Sequence, residues 1–212
     1  MIRKRLLAGI IFALIGCTAT LHSQTSQAPA VVAVRAGHLF DSKTGQMLNK
    51  QVVLIQGERI SEVGPEDQVK IPEGAQVIDL SQATVLPGLV DAHTHMYESL
   101  SAGQRVNTSK EAWTILAVRD VRTDLLAGFT TARDCATHGE GYGDVDVRNS
   151  INKGYIEGPR FQVSTRGIGG DGSDYIGVPG INLWAGRQTV TGPVEARAAV
   201  REQIRYGADL IK

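Results

Sequence analysis

His93 and His95 stand two residues apart at the close of an apolar run, Val85-Leu86-Pro87-Gly88-Leu89-Val90-Asp91-Ala92-His93-Thr94-His95-Met96. In an extended strand, residues i and i+2 face the same way, so both rings project side by side from the strand's C-terminal end. Two neutral imidazoles converging there suit a borderline divalent ion such as Zn²⁺. Taken alone, the pair reads more simply as a polar strand end with hydrogen-bonded rings. Asp91 precedes His93 on the same face and reads either as support for a metal ligand or as a structural hydrogen-bonding group. Lys212 follows the apolar strand-like run Ala208-Asp209-Leu210-Ile211; read alone, it is an exposed C-terminal lysine. Asp134 ends another strand-like run, Phe129-Thr130-Thr131-Ala132-Arg133, where an inward carboxylate could join a site. His138, in the polar stretch Cys135-Ala136-Thr137-His138-Gly139-Glu140, reads as an exposed loop residue rather than a ligand.

The elements that must position these groups fall into two rhythms. Residues 31–86 alternate short β-branched runs (31–34, 51–55, 59–63, 76–80 and 84–86) with Gly45, Gly57, Gly64-Pro65 and Pro72-Glu73-Gly74, which is strand-and-turn punctuation for a small β-domain. From Gly88 the pattern becomes strand, helix, strand. The run 89–93 is followed by a helix over 110–127 with Ile115, Val118, Val121 and Leu125 as its apolar stripe, and Gly128 ends it. A strand at 129–133, a helix over 145–153 and a strand at 160–165 follow. A final helix is marked by Gly192, by Pro193 at its first position, by Ala196, Val200 and Ile204 on one face, and by Gly207 as its stop. The segment 208–212 is read as a fourth strand. Repeating β-then-α units after a β-domain indicate a parallel sheet or barrel. The 125 residues from Gly88 onward are about half of the ~250 that a (β/α)₈ barrel needs, so either the sheet is open or the chain stops in mid-barrel.

The chain as a whole narrows the partners. Of 212 residues, 42% are hydrophobic and 22 basic residues balance 22 acidic ones. Disorder, a nucleic-acid partner and a polybasic membrane surface are all disfavoured, and a small-molecule partner is indicated. Arg3, Lys4 and Arg5 precede an apolar stretch from Leu6 to Gly16 that is too short to span a bilayer, which reads as an export signal. Its end, Leu14-Ile15-Gly16-Cys17, resembles a bacterial lipobox, with Cys17 as the lipidated residue; ordinary cleavage within 18–28 is the alternative. Residues 1–28 are then export signal and tether, and the product is periplasmic or lipid-anchored to the bacterial envelope. With Cys17 lipidated or removed, Cys135 has no disulfide partner and reads as a small semi-buried residue.

Gly167-Ile168-Gly169-Gly170-Asp171-Gly172 fits the dinucleotide-binding GxGxxG spacing, but that motif should open a helix at once and no helix signal appears before Gly192. A mobile loop over a barrel mouth is the better reading. Asp171, Asp174 and Tyr175 could contact substrate from it, or could simply be solvated loop residues.

The run "VLPGLVDAHTHM", with "LLAGFTTARD" (125–134), "GPRFQVSTRGI" (158–168) and "GADLIK" (207–212) in that order, resembles the metal-dependent amidohydrolase superfamily, in its imidazolonepropionase and Xaa-Pro-dipeptidase-like branch. The resemblance covers nearly everything after Val31. It implies an α/β fold, namely the N-terminal part of a (β/α)₈ barrel with about four strands over 87–212, preceded by a small β-sandwich domain over 29–86. It also implies one or two divalent metal ions, Zn²⁺ foremost, with His93 and His95 as ligands and Lys212 as a bridging ligand after carboxylation by CO₂. An ammonium cannot ligate a cation, whereas a carbamate presents anionic oxygens. The implied activity is hydrolysis of C–N bonds in a small amide, cyclic amide or peptide, such as a dipeptide or an N-acyl amino acid, in a protein that could form oligomers. The family's further histidines and its proton-shuttling aspartate would lie beyond Lys212, so the 212 residues alone read as a non-catalytic fragment of such an enzyme unless the frame continues. A soluble nucleotide-binding module is the remaining rival, and it predicts saturable nucleotide binding.

Overall fold

The computed structural model describes residues 31–105, 107–170 and 187–212; Cys17 with the expected export segment, and Asp171, Asp174 and Tyr175, lie outside them. Four strands, β1 (Val31–Asp41), β2 (Gln46–Gln56), β3 (Arg59–Pro65) and β4 (Gln76–Val85), form one sheet in the order β3-β2-β1-β4. The tight turn from β1 to β2 follows from Asp41, whose carboxylate accepts from Lys43 N at 2.9 Å and Thr44 Oγ1 at 2.7 Å, while Gly45 takes the positive φ of 71° that closes the hairpin. β4 pairs with β1 in parallel, because the connection after β3 crosses one sheet face. That crossing drops Val69 and Ile71 onto Ala33, Val52 and Leu54 to make a small core.

Thr84 and Val85, read from sequence as the start of a separate strand, are instead the end of β4. A bulge where Gly37 faces Ser81 carries the pairing across the polar Ser81-Gln82 step, and a Cβ at Gly37 would sit 2.3 Å from the Ser81 carbonyl oxygen. The sandwich expectation requires a second facing sheet; the described residues of this region form one sheet. Register places Ile60, Val63, Ile78 and Leu80 on its other face, all of them exposed.

The second unit is parallel. β5 (Leu89–Thr94), β6 (Phe129–Asp134) and β7 (Arg160–Val163) lie side by side in chain order. A short helix, α1 (Ala102–Arg105), and the long α2 (Lys110–Leu126) connect β5 to β6, and α3 (Gly143–Asn152) connects β6 to β7. All three strands therefore end at the same edge of the sheet. Ser109 caps α2 by accepting from Ala112 N at 3.2 Å. The buried stripe of α2 is Trp113, Ala117 and Val121, not the expected one through Ile115, which is 70% exposed. Trp113 decides the rotation: its indole N–H donates to Tyr97 O at 3.0 Å and its ring meets the Tyr97 ring edge-on, so the helix turns this large side chain inward. Val118 packs at the margin of the same core, which also holds Met96, Ala132, Val145, Val147, Phe161 and Val163.

Two further departures from the sequence reading bear on the site. Gly167–Gly170, expected in a loop, forms the short strand β8 and pairs in parallel with β9 (Arg187–Val190). The helix α4 (Pro193–Tyr206) begins and ends at the expected Gly192 and Gly207, but it buries Ala199 and Gln203, while Ile204 is 59% exposed. Gln203 can be buried because its amide bonds Thr165 Oγ1 on one side and the Gln188 amide on the other.

The segment 208–212 is not a regular strand. It makes one backbone bond to β7, Asp209 N to Val163 O at 2.8 Å, and one to β8, Ile168 N to Lys212 O at 2.7 Å, too few to make a ladder. Asp209 reinforces them: its carboxylate accepts from Val163 N at 3.0 Å and from Arg148 Nη1 at 2.5 Å. Replacing Asp209 with Ala strips a largely buried Arg148 of its anionic partner. The expected cost is about 1–3 kcal/mol in denaturant titrations, with faster hydrogen exchange at Ile168 N–H as the local sign.

Candidate metal centre

The three strand ends bring together side chains far apart in sequence. His93 is the penultimate residue of β5 and His95 lies just past its end. Strict alternation is not what aims them, because the β5–β6 register slips between Asp91 and Thr94. Asp91 stabilises that irregularity by accepting from His93 N at 2.9 Å, so its role is structural and directed at the backbone. The rings still converge, with centroids 5.2 Å apart and planes at 64°. Lys212 Nζ lies 3.0 Å from His93 Nε2 across 119 residues of chain, so this lysine is seated at the histidine pair.

His95 is the better fixed of the pair. Its Nδ1 is 3.1 Å from Ala136 O, which places the proton on Nδ1 and leaves Nε2 as the free lone pair. Burial lowers its pKa and keeps the ring neutral. Asp134, fully buried at the end of β6, approaches the same Nδ1 at 4.0 Å and accepts a long 3.4 Å bond from Met96 N, while its Oδ2 has no hydrogen-bond partner. Burial, then the neighbouring Asp144, raises its carboxyl well above the usual range. Asp144 accepts from Thr165 N and Val145 N, and burial pushes it up to about 7.

Two further residues belong to this cluster: His138, read from sequence as an exposed loop residue, and Glu98, which the sequence did not single out. His138 packs its ring against His95, with centroids 4.3 Å apart, and its Nε2 is closed off from solvent without a hydrogen-bond partner. The loop that carries it is held in a left-handed conformation, with φ of 122° at Ala136 and 52° at His138. Thr137 anchors the loop by donating its N–H to Thr165 O and exchanging bonds with Gly141 through its hydroxyl. Burial, and then the His95 imidazole, lower His138 to about 4. Glu98 enters through a turn in which its N–H donates to His95 O at 3.2 Å. One donor atom each from His95, Glu98 and His138 lie within 4.8 Å of one another. No spacing rule links residues 98 and 138, and only the packed β6–α3 loop brings them together.

The donor set fits a divalent ion of borderline softness: neutral imidazoles, a carboxylate, and a lysine amine beside an imidazole nitrogen. The Ala136 carbonyl leaves the His95 Nε2 lone pair available, and the buried His138 Nε2 has no hydrogen-bond partner.

Residues 84–212 match the model of the amidohydrolase family, and the chain belongs to that family. Among solved structures it is similar to a prolidase complexed with N-methylphosphonate-L-proline (28% identity, TM-score 0.71, 86% of this chain and 46% of that one). It is equally similar to a Xaa-Pro dipeptidase with methionine bound in the active site (28% identity, TM-score 0.72, 86% and 46%). Over 61 residues it is 41% identical to an N-substituted formamide deformylase of Arthrobacter pascens, covering 28% of this chain and 11% of that enzyme. The chain thus spans about half the length of these structural relatives and aligns with a small part of the deformylase.

The electrostatics give a pH prediction. An unfolded histidine takes up its proton near pH 6.5, but folded His138 does so only near 4, so between these values the unfolded state binds more protons and stability falls as pH drops. Asp144 acts in the opposite sense, disfavouring the fold progressively as pH rises from about 4 to about 7. The His138→Asn variant isolates the first contribution. The stability difference, wild type minus variant, is expected to be smaller at pH 4.5 than at pH 7.5 in paired denaturant titrations.

Proposed function

We propose that this chain is the N-terminal part of an exported, metal-dependent hydrolase that cleaves C–N bonds in small amides, with dipeptides or N-acyl amino acids as the substrate class. The observation that carries this reading is the meeting of His93 Nε2 and Lys212 Nζ at 3.0 Å on the shared edge of a parallel sheet, in a chain of the amidohydrolase family. The prolidase and dipeptidase likenesses, which extend over 86% of the chain, support a peptide or acyl amino acid as the substrate class.

In this reading His93, His95 and Lys212 hold one or two divalent ions, Zn²⁺ foremost. Bound there, the metal supplies Lewis acidity toward a carbonyl and toward water. His93 and His95 present Nε2 lone pairs, the second through the tautomer that Ala136 O fixes. The neutral Lys212 amine adds to CO₂ and releases a proton, giving a carbamate whose oxygens can ligate where an ammonium cannot. Asp134 positions His95 from behind rather than touching substrate. Asp171, Asp174 and Tyr175 would contact substrate from the segment after β8. Residues 87–212 would supply the first part of a (β/α)₈ barrel, and 29–86 one layer of a sandwich whose exposed face carries Ile60, Val63, Ile78 and Leu80. The basic and apolar residues 3–16 support export, with Cys17 as the lipid attachment point to the envelope.

Two measurements test this. In the full-length protein loaded with Zn²⁺, kcat/KM on a panel of dipeptides and N-acyl amino acids should be measurable and should fall at least about 100-fold in His93→Asn. Incubation with ¹³C-bicarbonate should give a carbamate resonance that Lys212→Ala removes. No turnover on any panel member would sink the hydrolase assignment, and an absent carbamate signal would remove Lys212 from the ligand set.

A further inference from the structure

We propose that His95, Glu98 and His138 form a second cation position, suited to a borderline divalent ion such as Zn²⁺, which shares His95 with the strand-end position and excludes it. The geometry of the donors argues for an ion rather than for a hydrogen-bonded cluster. His138 Nε2 and Glu98 Oε2 are 3.7 Å apart, too far for a hydrogen bond. Two ligands about 2.1 Å from a tetrahedral ion would stand about 3.4 Å apart, close to what is observed. His138 Nε2 is also shielded from solvent and has no hydrogen-bond partner, an arrangement that is costly for a polar atom unless something ligates it.

The donors sit on supported turns. His95 and Glu98 flank Met96 and Tyr97, which are buried to 2% and 0% exposure, so the turn between them is pinned by its own side chains. His138 is fixed by the Thr137 bonds and the left-handed backbone on either side. Two neutral imidazoles and one carboxylate give a site of net charge −1, with Glu98 more than half exposed and able to move the remaining few tenths of an ångström.

Exclusion follows from the hydrogen bond behind His95. With Nδ1 committed to Ala136 O, only Nε2 can ligate, and one lone pair serves one ion. A cation held by Glu98 and His138 therefore withdraws His95 from His93 and Lys212. The position has its own ligands, but the exclusion rests on the assignment of His93 and His95 as a metal pair. Its consequence is that excess divalent cation competes with the productive arrangement.

The test is a Co²⁺ titration of the metal-free full-length protein, read by visible absorption and by equilibrium dialysis. His93→Asn is expected to retain Co²⁺ with an altered spectrum, because the ion moves to His95, Glu98 and His138. Adding Glu98→Gln or His138→Asn to that variant should weaken the retained binding at least about tenfold. If both double variants bind Co²⁺ as His93→Asn does, with the same spectrum, the second position does not exist. If His93→Asn alone is indistinguishable from wild type in affinity and spectrum, the strand-end pair is not the ligand and the exclusion fails, whatever Glu98 and His138 do. Glu98→Gln changes a largely exposed side chain and keeps the test interpretable where His138→Asn disturbs its loop.

Discussion

Asp209 is the fastening on which the site depends. Its carboxylate gathers Arg148 from α3 and the Val163 amide from β7, and its own amide returns a bond to Val163 O. These contacts hold an irregular five-residue segment against the edge of a parallel sheet. Through them Lys212 reaches His93, on a strand that is separated from it in the sheet by β6 and β7. A charged group bonded on several sides can do this where a two-bond ladder could not, because charge-assisted bonds are stronger and directional.

Parallel pairing supplies the rest of the convergence. Helical crossovers force β5, β6 and β7 to end at one edge, so the residues just past each strand become neighbours regardless of their separation in sequence. His95, Asp134 with the loop to His138, and Ser164-Thr165 all occupy such positions. The loop after β6 stores unfavourable backbone geometry at Ala136 and His138, and the compensating bonds come from Thr137 and from Thr165 at the end of β7. The carbonyl that this conformation turns outward is the one that sets the His95 tautomer. A strained loop and a correctly protonated imidazole are two sides of one arrangement.

The buried carboxyls beneath the cluster fit the same picture. Asp134 and Asp144 are taken out of water, and both are driven toward the protonated form. With the Asp134 carboxyl pushed up by burial, the charge state of His95, behind which it sits, is governed first by the ring's own burial and then by its carbonyl bond. The same burial that raises these carboxyls lowers the His95 ring, so the layer favours uncharged groups throughout.

Much of this was legible in the residues themselves. β-Branched runs and glycine punctuation located the sheet of the first unit, and the Gly192-Pro193 start and Gly207 stop bounded α4, because turn and cap chemistry is local. His93, His95 and Lys212 could be singled out by type and by the resemblance of the runs that carry them. The rotation of α2 and α4 could not, since Trp113 and Gln203 are buried by partners on other elements, Tyr97 in one case and Thr165 with Gln188 in the other. Nor could the place of Glu98 and His138, which share no period with His95 and meet it only after β5 and β6 pair. Sequence alone determined which strands end in potential ligands, because backbone preference and side-chain chemistry are properties of neighbours along the chain. Only the tertiary structure decided which ends meet, because that depends on register, crossover and the buried bonds that hold loops in conformations they would not otherwise adopt.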